Sequence, residues 1–558
     1  MYDRIDGGRL CARALAKHGT SQIFGLQGGH IDPILYGCVN EGIKIFDTRH
    51  EQGAALMAEA WGLATGQTGV CCVTAGPGLT NAITGIANAY MNGSPLICLA
   101  GRRPSSQADR WTLQDLDQVR LIEPISRWAR SIGDGARIGE YVRMAYAHSR
   151  SGSPGPVYLD FPADLLASPV SQTLLESTGL PVRADFPSPS AEIVDRVGAL
   201  LEASERPIIV AGSGVHWSGA GSSLSELASR LGIPVFTINA GRGAVSDEDE
   251  WCMGAAQPVG GSFLMAASQA DVVLCIGVRL GYLFLNGLVF GGAKLIRVDV
   301  ERSELANGSP AEIEVLADAH SFCIALVQAS KASINDSRRQ WRDRIYSAGL
   351  EARELFDSQD IGPSGGIHPA AAVRSIVEVA GENASYVSDG GDAMTFGLAR
   401  FPANRPGQLL ATSIYFGALG VGIPYAIAAK LAFPKEPCIL WEGDGAFGFN
   451  AFEFDTAIRH NVPFVCVVAN NGTWGMSWHG QGLQYGYDQL VATELGDRPY
   501  HEIVKAMGGY GERVDSIENL RPALDRALSS GKPACVNLQI DRESVSFATQ
   551  AMASVGLS

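Results

Sequence analysis

Two kinds of segment are missing from this chain of 558 residues. No apolar run is long enough to span a bilayer, and the N-terminus, Met1-Tyr2-Asp3-Arg4-Ile5-Asp6, lacks the apolar core of a secretory leader. A cytoplasmic protein without membrane partners is therefore expected. Basic charge is scarce as well. Against 58 Asp and Glu stand 43 Lys and Arg, a formal net charge of −15 that disfavours nucleic acid and anionic membrane surfaces as partners. The acidic balance says little about substrate, because an acidic exterior can surround a locally neutral pocket. The 11 Cys form no Cys-x-x-Cys pair, and most lie in apolar strand-like runs (Cys71, Cys72, Cys98, Cys275, Cys438, Cys466, Cys535), the usage of buried, reduced thiols. Short-period repeats and low-complexity segments are absent too.

What the chain has in quantity is glycine and a rhythm of short apolar runs. The length suggests about three or four domains, and the 66 Gly suit many strand-to-helix turns. Apolar runs at 70–74, 95–100, 156–160, 207–211, 271–277, 294–300, 438–441, 463–468 and 534–540 alternate with helix-length segments. Runs that are apolar on both faces and bounded by Gly and Pro mark buried parallel strands of α/β sheets. Two stretches break the rhythm and read as linkers: 168–191, with Pro181, Pro187 and Pro189, and 333–368, with a charged helix-like stretch at 337–354. Three α/β units follow, at 1–167, 191–335 and 366–558.

Near the C-terminus, Gly443-Asp444-Gly445 directly follows the strand-like run 438–441. Glycines let backbone N–H groups approach phosphate oxygens, and the carboxylate offers Mg²⁺ a hard ligand. Roughly two dozen residues later, a helix and the next strand return the chain to the same sheet edge at Asn470-Asn471-Gly472-Thr473. There the Asn471 amide oxygen and an oxygen of Thr473 can complete the ligand set. Gly-Asp-Gly alone is most often a turn, and Asn-Asn-Gly alone a hairpin or loop. Turn chemistry does not readily produce the pair at this spacing, each member preceded by a strand. The arrangement resembles the thiamine diphosphate (ThDP) signature of the acetolactate synthase and benzaldehyde lyase superfamily. That resemblance implies Mg²⁺ on Asp444, Asn471 and Thr473, with Gly443, Gly445 and Ala446 also against the cofactor. It further implies three doubly wound parallel-sheet domains, pyrimidine-binding, central and diphosphate-binding.

In the first unit, Thr48-Arg49-His50-Glu51-Gln52 opens an Ala-rich helix-like segment. Read alone, Glu51 is an acid in a helix's first turn, stabilised by the dipole. The order of Gly25-Leu26-Gln27-Gly28-Gly29-His30, Arg49-His50-Glu51, Thr74-Ala75-Gly76-Pro77-Gly78-Leu79-Thr80-Asn81 and the run 95–101 resembles the pyrimidine-binding domain of the same superfamily. By that resemblance Glu51 hydrogen-bonds the aminopyrimidine ring and promotes removal of the thiazolium C2 proton, a coupling that desolvation strengthens. Gly417-Ala418-Leu419-Gly420-Val421-Gly422 resembles the segment that meets the pyrimidine, with Leu419 wedged between the cofactor rings and the Gly417 carbonyl accepting from the amino group. In the family, Glu51 of one subunit and Asp444 of its partner grip one cofactor, so a homodimer or homotetramer is implied. The resemblance covers about residues 4–545.

Within the superfamily, Gly28-Gly29-His30-Ile31-Asp32 and Thr112-Leu113-Gln114-Asp115 look like benzaldehyde lyase, where the histidine handles the proton of the substrate hydroxyl. Gln114 would supply a hydrogen-bonding amide, a residue common across the group. Ala163 and Met394 stand where that enzyme has pocket aromatics. The stretch Glu442-Gly443-Asp444-Gly445-Ala446-Phe447-Gly448-Phe449 instead resembles 2-hydroxyacyl-CoA and oxalyl-CoA lyases. A CoA-binding lid would carry cations, whereas the tail 542–558 has one basic residue, so use of a CoA thioester stays open. Gly29, His30, Gln114, Met394, Met476, Trp478, His479 and Gly480 would shape the substrate pocket. In the middle unit, Ala211-Gly212-Ser213-Gly214-Val215-His216-Trp217 misses the Gly-x-Gly-x-x-Gly pattern. FAD, which acetolactate synthases carry there, is possible but not favoured. The reading is a ThDP- and Mg²⁺-dependent lyase and carboligase interconverting acyloins and aldehydes. The alternatives are an acetolactate-synthase-like enzyme decarboxylating a 2-oxo acid, a 2-hydroxyacyl-CoA lyase, and a ThDP-fold protein kept for binding alone.

Overall fold

Strands apolar on both sides must be covered on both sides, and Gly69–Val73, Pro156–Pro162, Pro207–Ala211 and Val465–Asn470 are buried at every position. The computed structural model describes residues 4–171, 186–257, 261–331 and 334–554. Most of the expected linker 168–191, Pro181 included, lies outside them. The described residues form two compact units, one from Met1–Ala184, Thr412–Ala432 and Asn450–Val462, the other from Asp185–Ala411, Phe433–Phe449 and Pro463–Ser558.

The first unit is built on a six-stranded parallel sheet in the order Lys44–Asp47, Gln22–Gly25, Gly69–Val73, Leu96–Arg102, Pro156–Pro162, Trp128–Ser131. In chain order this is second, first, third, fourth, sixth, fifth. The direction of winding reverses between the first and third strands, so the loops leaving their carboxyl ends open a crevice there. Gly422–Ala432 joins this unit by packing along Glu51–Thr65, where both helices are rich in small residues. Between them the wholly buried Glu59 accepts hydrogen bonds from Asn88, Asn92 and Ser94, and Asn88 donates to Tyr425 as well.

The second unit holds two six-stranded parallel sheets. The sheet Leu409–Ala411, Ser385–Asp389, Cys438–Gly443, Val465–Asn470, Ala534–Gln539, Tyr510–Val514 repeats the strand order of the first unit. Its reversal lies between Ser385–Asp389 and Cys438–Gly443, the strand that leads into Asp444. The other sheet runs Cys252–Ala255, Val235–Thr237, Pro207–Ala211, Val272–Ile276, Lys294–Asp299, Ile313–Leu316, the dinucleotide-fold order. There the first turn packs against the backbone after the fourth strand: a Cβ at Gly214 would lie 2.6 Å from Gly277 Cα. That close approach by itself requires glycine.

The charged stretch expected in a linker is a 22-residue helix, Asp336–Asp357, packed on the second unit's core. Trp341 and Ile345 are buried against Phe236, Phe263 and their neighbours, and the Arg338 guanidinium donates to the carbonyls of Leu201, Leu231 and Ser204. So few apolar positions along so long a helix leave its pattern looking polar all round. All 11 Cys are buried and free of disulfides. No helix of the described residues is long and apolar enough to cross a membrane.

Candidate active site

Each switch point gathers its own set of side chains. In the first unit, the turn after Lys44–Asp47 delivers Glu51 as the first residue of its helix, after His50 in extended conformation. Glu51 is only 5% exposed; Oε2 accepts from Asn81 Nδ2 at 3.0 Å, and no described residue hydrogen-bonds Oε1. His30 follows the first strand, half-buried, its Nδ1 3.4 Å from Thr74 Oγ1 and its Nε2 without a partner among the described residues. Burial lowers its affinity for a proton below the ordinary imidazole range and keeps the ring neutral. Gln114, at a positive φ of 61°, packs so that a Cβ on Gly76 would meet its own Cβ at 2.9 Å. Its Oε1 is buried without a hydrogen-bond partner among the described residues. His30 and Gln114 thus both border the turn Thr74-Ala75-Gly76, while Gly29 is exposed with open space around it.

Two residues hold this arrangement that sequence reasoning did not single out. Asn81 lay inside a quoted motif and carried a usable signal, an amide on the first turn after Gly76-Pro77. Gln118 carried none. It is buried, accepts from the Gly76 N–H at 2.6 Å and donates to the Gly101 carbonyl and Tyr158 hydroxyl at 2.9 Å each. Gly417 and Leu419 lie on the loop before Gly422–Ala432, Gly417 exposed at φ 69° and Leu419 half-buried. Asn450 Nδ2 anchors the loop through the Gly420 carbonyl at 2.7 Å.

In the second unit, Asp444 is the first residue after Cys438–Gly443 and is buried. Its Oδ1 accepts from the Gly445 N–H at 3.0 Å and Oδ2 from the Gly472 N–H at 2.9 Å, tying the Gly-Asp-Gly turn to the Asn-Asn-Gly-Thr turn. Burial pushes its carboxyl group up to about 7, against the pull of those N–H donors. Asn471 Oδ1 faces Thr473, accepting from its N–H at 3.1 Å and its hydroxyl at 2.9 Å. Gly443 is half-buried, and Gly445 and Ala446 are buried.

Met394 and Met476 are half-buried, Met476 closing on Gly391, and Gly480 is buried. His479 lies deeper than a residue facing substrate. Its Nδ1 sits 2.6 Å from Asp392 Oδ2 and its Nε2 3.0 Å from the Arg542 carbonyl. Asp392 also accepts from Ser546 and Thr549, so it moors the C-terminal helix Phe547–Ser554 to the helix Gly475–Tyr485. Arg542 Nε donates to the Asn471 carbonyl at 3.2 Å.

Among the described residues no three His, Cys, Asp or Glu side chains cluster as a metal site. A single buried carboxylate with amide and threonine oxygens nearby suits Mg²⁺, which commonly takes one or two carboxylates and fills its shell from substrate phosphates and water. The donors of the second half-site therefore fit a cation carried with a diphosphate. Those of the first, a buried carboxyl group with one unused oxygen, fit an aminopyrimidine.

Comparison with known proteins accords with both halves. Residues 5–121 match the thiamine pyrophosphate enzyme N-terminal TPP binding domain, 194–326 the central domain, and 389–538 the C-terminal TPP binding domain. The chain is 36% identical over 539 residues to a probable acetolactate synthase of Mycobacterium bovis, covering 96% of each chain. To a probable acetolactate synthase large subunit of Methanocaldococcus jannaschii it is 31% identical, over 96% of this chain and 92% of the other. To a 2-hydroxyacyl-CoA lyase of Arabidopsis thaliana it is 30% identical over 96% of each. With domain matches in all three sheets and relatives spanning nearly its whole length, the chain belongs to the thiamine pyrophosphate enzymes.

Proposed function

We propose that this enzyme is a Mg²⁺-dependent lyase and carboligase that interconverts 2-hydroxy ketones and aldehydes. The observation that carries the reading is His30, a half-buried neutral imidazole with a free Nε2, beside the turn that also receives Gln114. Bound ThDP supplies a nucleophilic carbon and an electron sink for the bond that breaks or forms. Glu51 would hold the aminopyrimidine ring while Asn81 donates to its Oε2. Asp444, Asn471 and Thr473 would hold the cation, with Gly443, Gly445 and Ala446 beside the diphosphate. Gly417 and Leu419 meet the pyrimidine. His30 then removes the proton from the substrate hydroxyl as the C–C bond breaks, and Gln114, which cannot ionise, orients that hydroxyl by donating from its side-chain amide N–H to the hydroxyl oxygen. Met394 and Met476 border the substrate. A homo-oligomer, dimer or tetramer, completes each site by pairing half-sites from two subunits, and the buried free thiols suit a reducing cytoplasm.

The names of the relatives favour a second reading, in which a 2-oxo acid is decarboxylated before carboligation. Purified protein with ThDP and Mg²⁺, supplied separately with an acyloin and with pyruvate, tests both. Aldehyde release from the acyloin without CO₂ from pyruvate supports the first; CO₂ from pyruvate with an intact acyloin replaces it with the second.

A further inference from the structure

The turn that delivers Glu51 is gripped by a segment some four hundred residues away in sequence. Glu453, at the start of the helix Glu453–Arg459, is buried to 1% exposure, yet its carboxylate makes no salt bridge within the described residues. Instead Oε1 accepts from the backbone N–H groups of Arg49 and His50 at 3.1 and 3.0 Å, and Oε2 accepts from the Thr456 hydroxyl at 2.6 Å. The same helix holds the turn at its other end. Arg459 Nη2 donates to the Asp47 carbonyl at 2.8 Å, and His460 Nε2 lies 2.8 Å from Asp47 Oδ1. The Arg49 guanidinium reaches Asp455 at 3.7 Å.

Space for the carboxylate comes from the helix it caps. A Cβ at Gly53 would lie 2.4 Å from Glu453 Oε1, so only glycine leaves the acid seated. Gly53 costs the Ala-rich helix propensity, which marks the vacancy as occupied for a purpose. An acid just ahead of a helix N-terminus also complements the dipole. We propose that Glu453 is a positioning residue for Glu51, fixing the first turn of the helix Glu51–Thr65 and with it the aim of the Glu51 carboxyl group. This rests on the reading of Glu51 given above.

The test uses full-length protein. In E453A and in Gly53→Ala, which displaces the carboxylate without removing it, exchange of the C2 proton of bound ThDP should slow on the order of 10²-fold, the penalty of a slightly misplaced group. Cofactor affinity should be nearly unchanged. Amide hydrogen exchange in the cofactor-free protein should lose protection at Arg49 and His50 in both variants. E453Q, whose amide oxygen can still accept from those N–H groups, should restore both readouts. A capping role alone predicts lower stability with normal C2 exchange in folded E453A or Gly53→Ala, and that result overturns the proposal. Glu51→Gln is run alongside. Exchange surviving there overturns the reading of Glu51 and this proposal with it, whereas exchange lost there but kept in E453A overturns this proposal alone.

Discussion

Asn81 Nδ2 donates to Glu51 Oε2 at 3.0 Å, joining the N-terminal turns of two helices that leave different strands. The bond orients the carboxyl group, so that one oxygen is engaged within the protein and the other is left for a ligand. Glu51→Gln should fold and bind ThDP nearly as wild type but lose C2 proton exchange. Asn81→Ala should slow exchange on the order of tenfold, the equivalent of one hydrogen bond to a charged group. Following exchange at C2 of the bound cofactor checks both, and wild-type exchange in Glu51→Gln would refute the assignment.

Asp444 is the carboxylate proposed to hold the cation. Asp444→Ala should weaken Mg²⁺-dependent ThDP binding by at least ~10²-fold, the upper end for losing a mere outer-shell partner. Calorimetric titration with and without Mg²⁺ measures it. Unchanged affinity would place the cation elsewhere.

His30 should set the acid limb of acyloin cleavage. Burial lowers its proton affinity, so the neutral base persists to a lower pH than a free imidazole. The limb of kcat/KM should therefore fall below about 6.5, the ordinary imidazole value. His30→Ala should lower cleavage by roughly 10² to 10⁴ and flatten that limb, while C2 exchange continues. Cleavage at wild-type rate would leave His30 a turn residue and hand the function to the 2-oxo acid reading.

Asp392 moors three partners, His479, Ser546 and Thr549. Asp392→Ala removes a buried acceptor shared by three side chains and should cost about 3 kcal/mol, the penalty of leaving buried donors unsatisfied. It should also expose the C-terminal helix to proteolysis before the rest of the chain. Denaturant unfolding and timed digestion followed by mass spectrometry read the two effects, and an intact C-terminus in the variant would exclude the mooring.

Three inner strands of each sheet were legible because a strand covered on both faces must be apolar throughout, and that pattern is local. Asp444 and Asn471 were legible for a related reason. Both leave neighbouring parallel strands at the same sheet edge, so a fixed run of helix and strand separates them in sequence. The charged stretch 337–354 reads as helix-like, but its packing is not legible, because its anchor includes a buried Arg338 whose partners are backbone carbonyls with no sequence signature. His479 shows a different limit: both its ring nitrogens meet groups from distant segments, Asp392 and the Arg542 carbonyl, contacts with no local sequence signature.

By itself the sequence determined the α/β class, the turns at Glu51 and Asp444 and the acids on them, since strand periodicity, glycine turns and first-turn acids are properties of short segments. Only the tertiary structure decided which residues aim those acids. Glu453 reaches the N–H groups of Arg49 and His50 through the vacancy at Gly53, and Gln118 braces Gly76. Such contacts join residues far apart along the chain, and backbone amides and missing side chains look alike in every sequence. Their pairing exists only once the sheet has brought its loops to one edge.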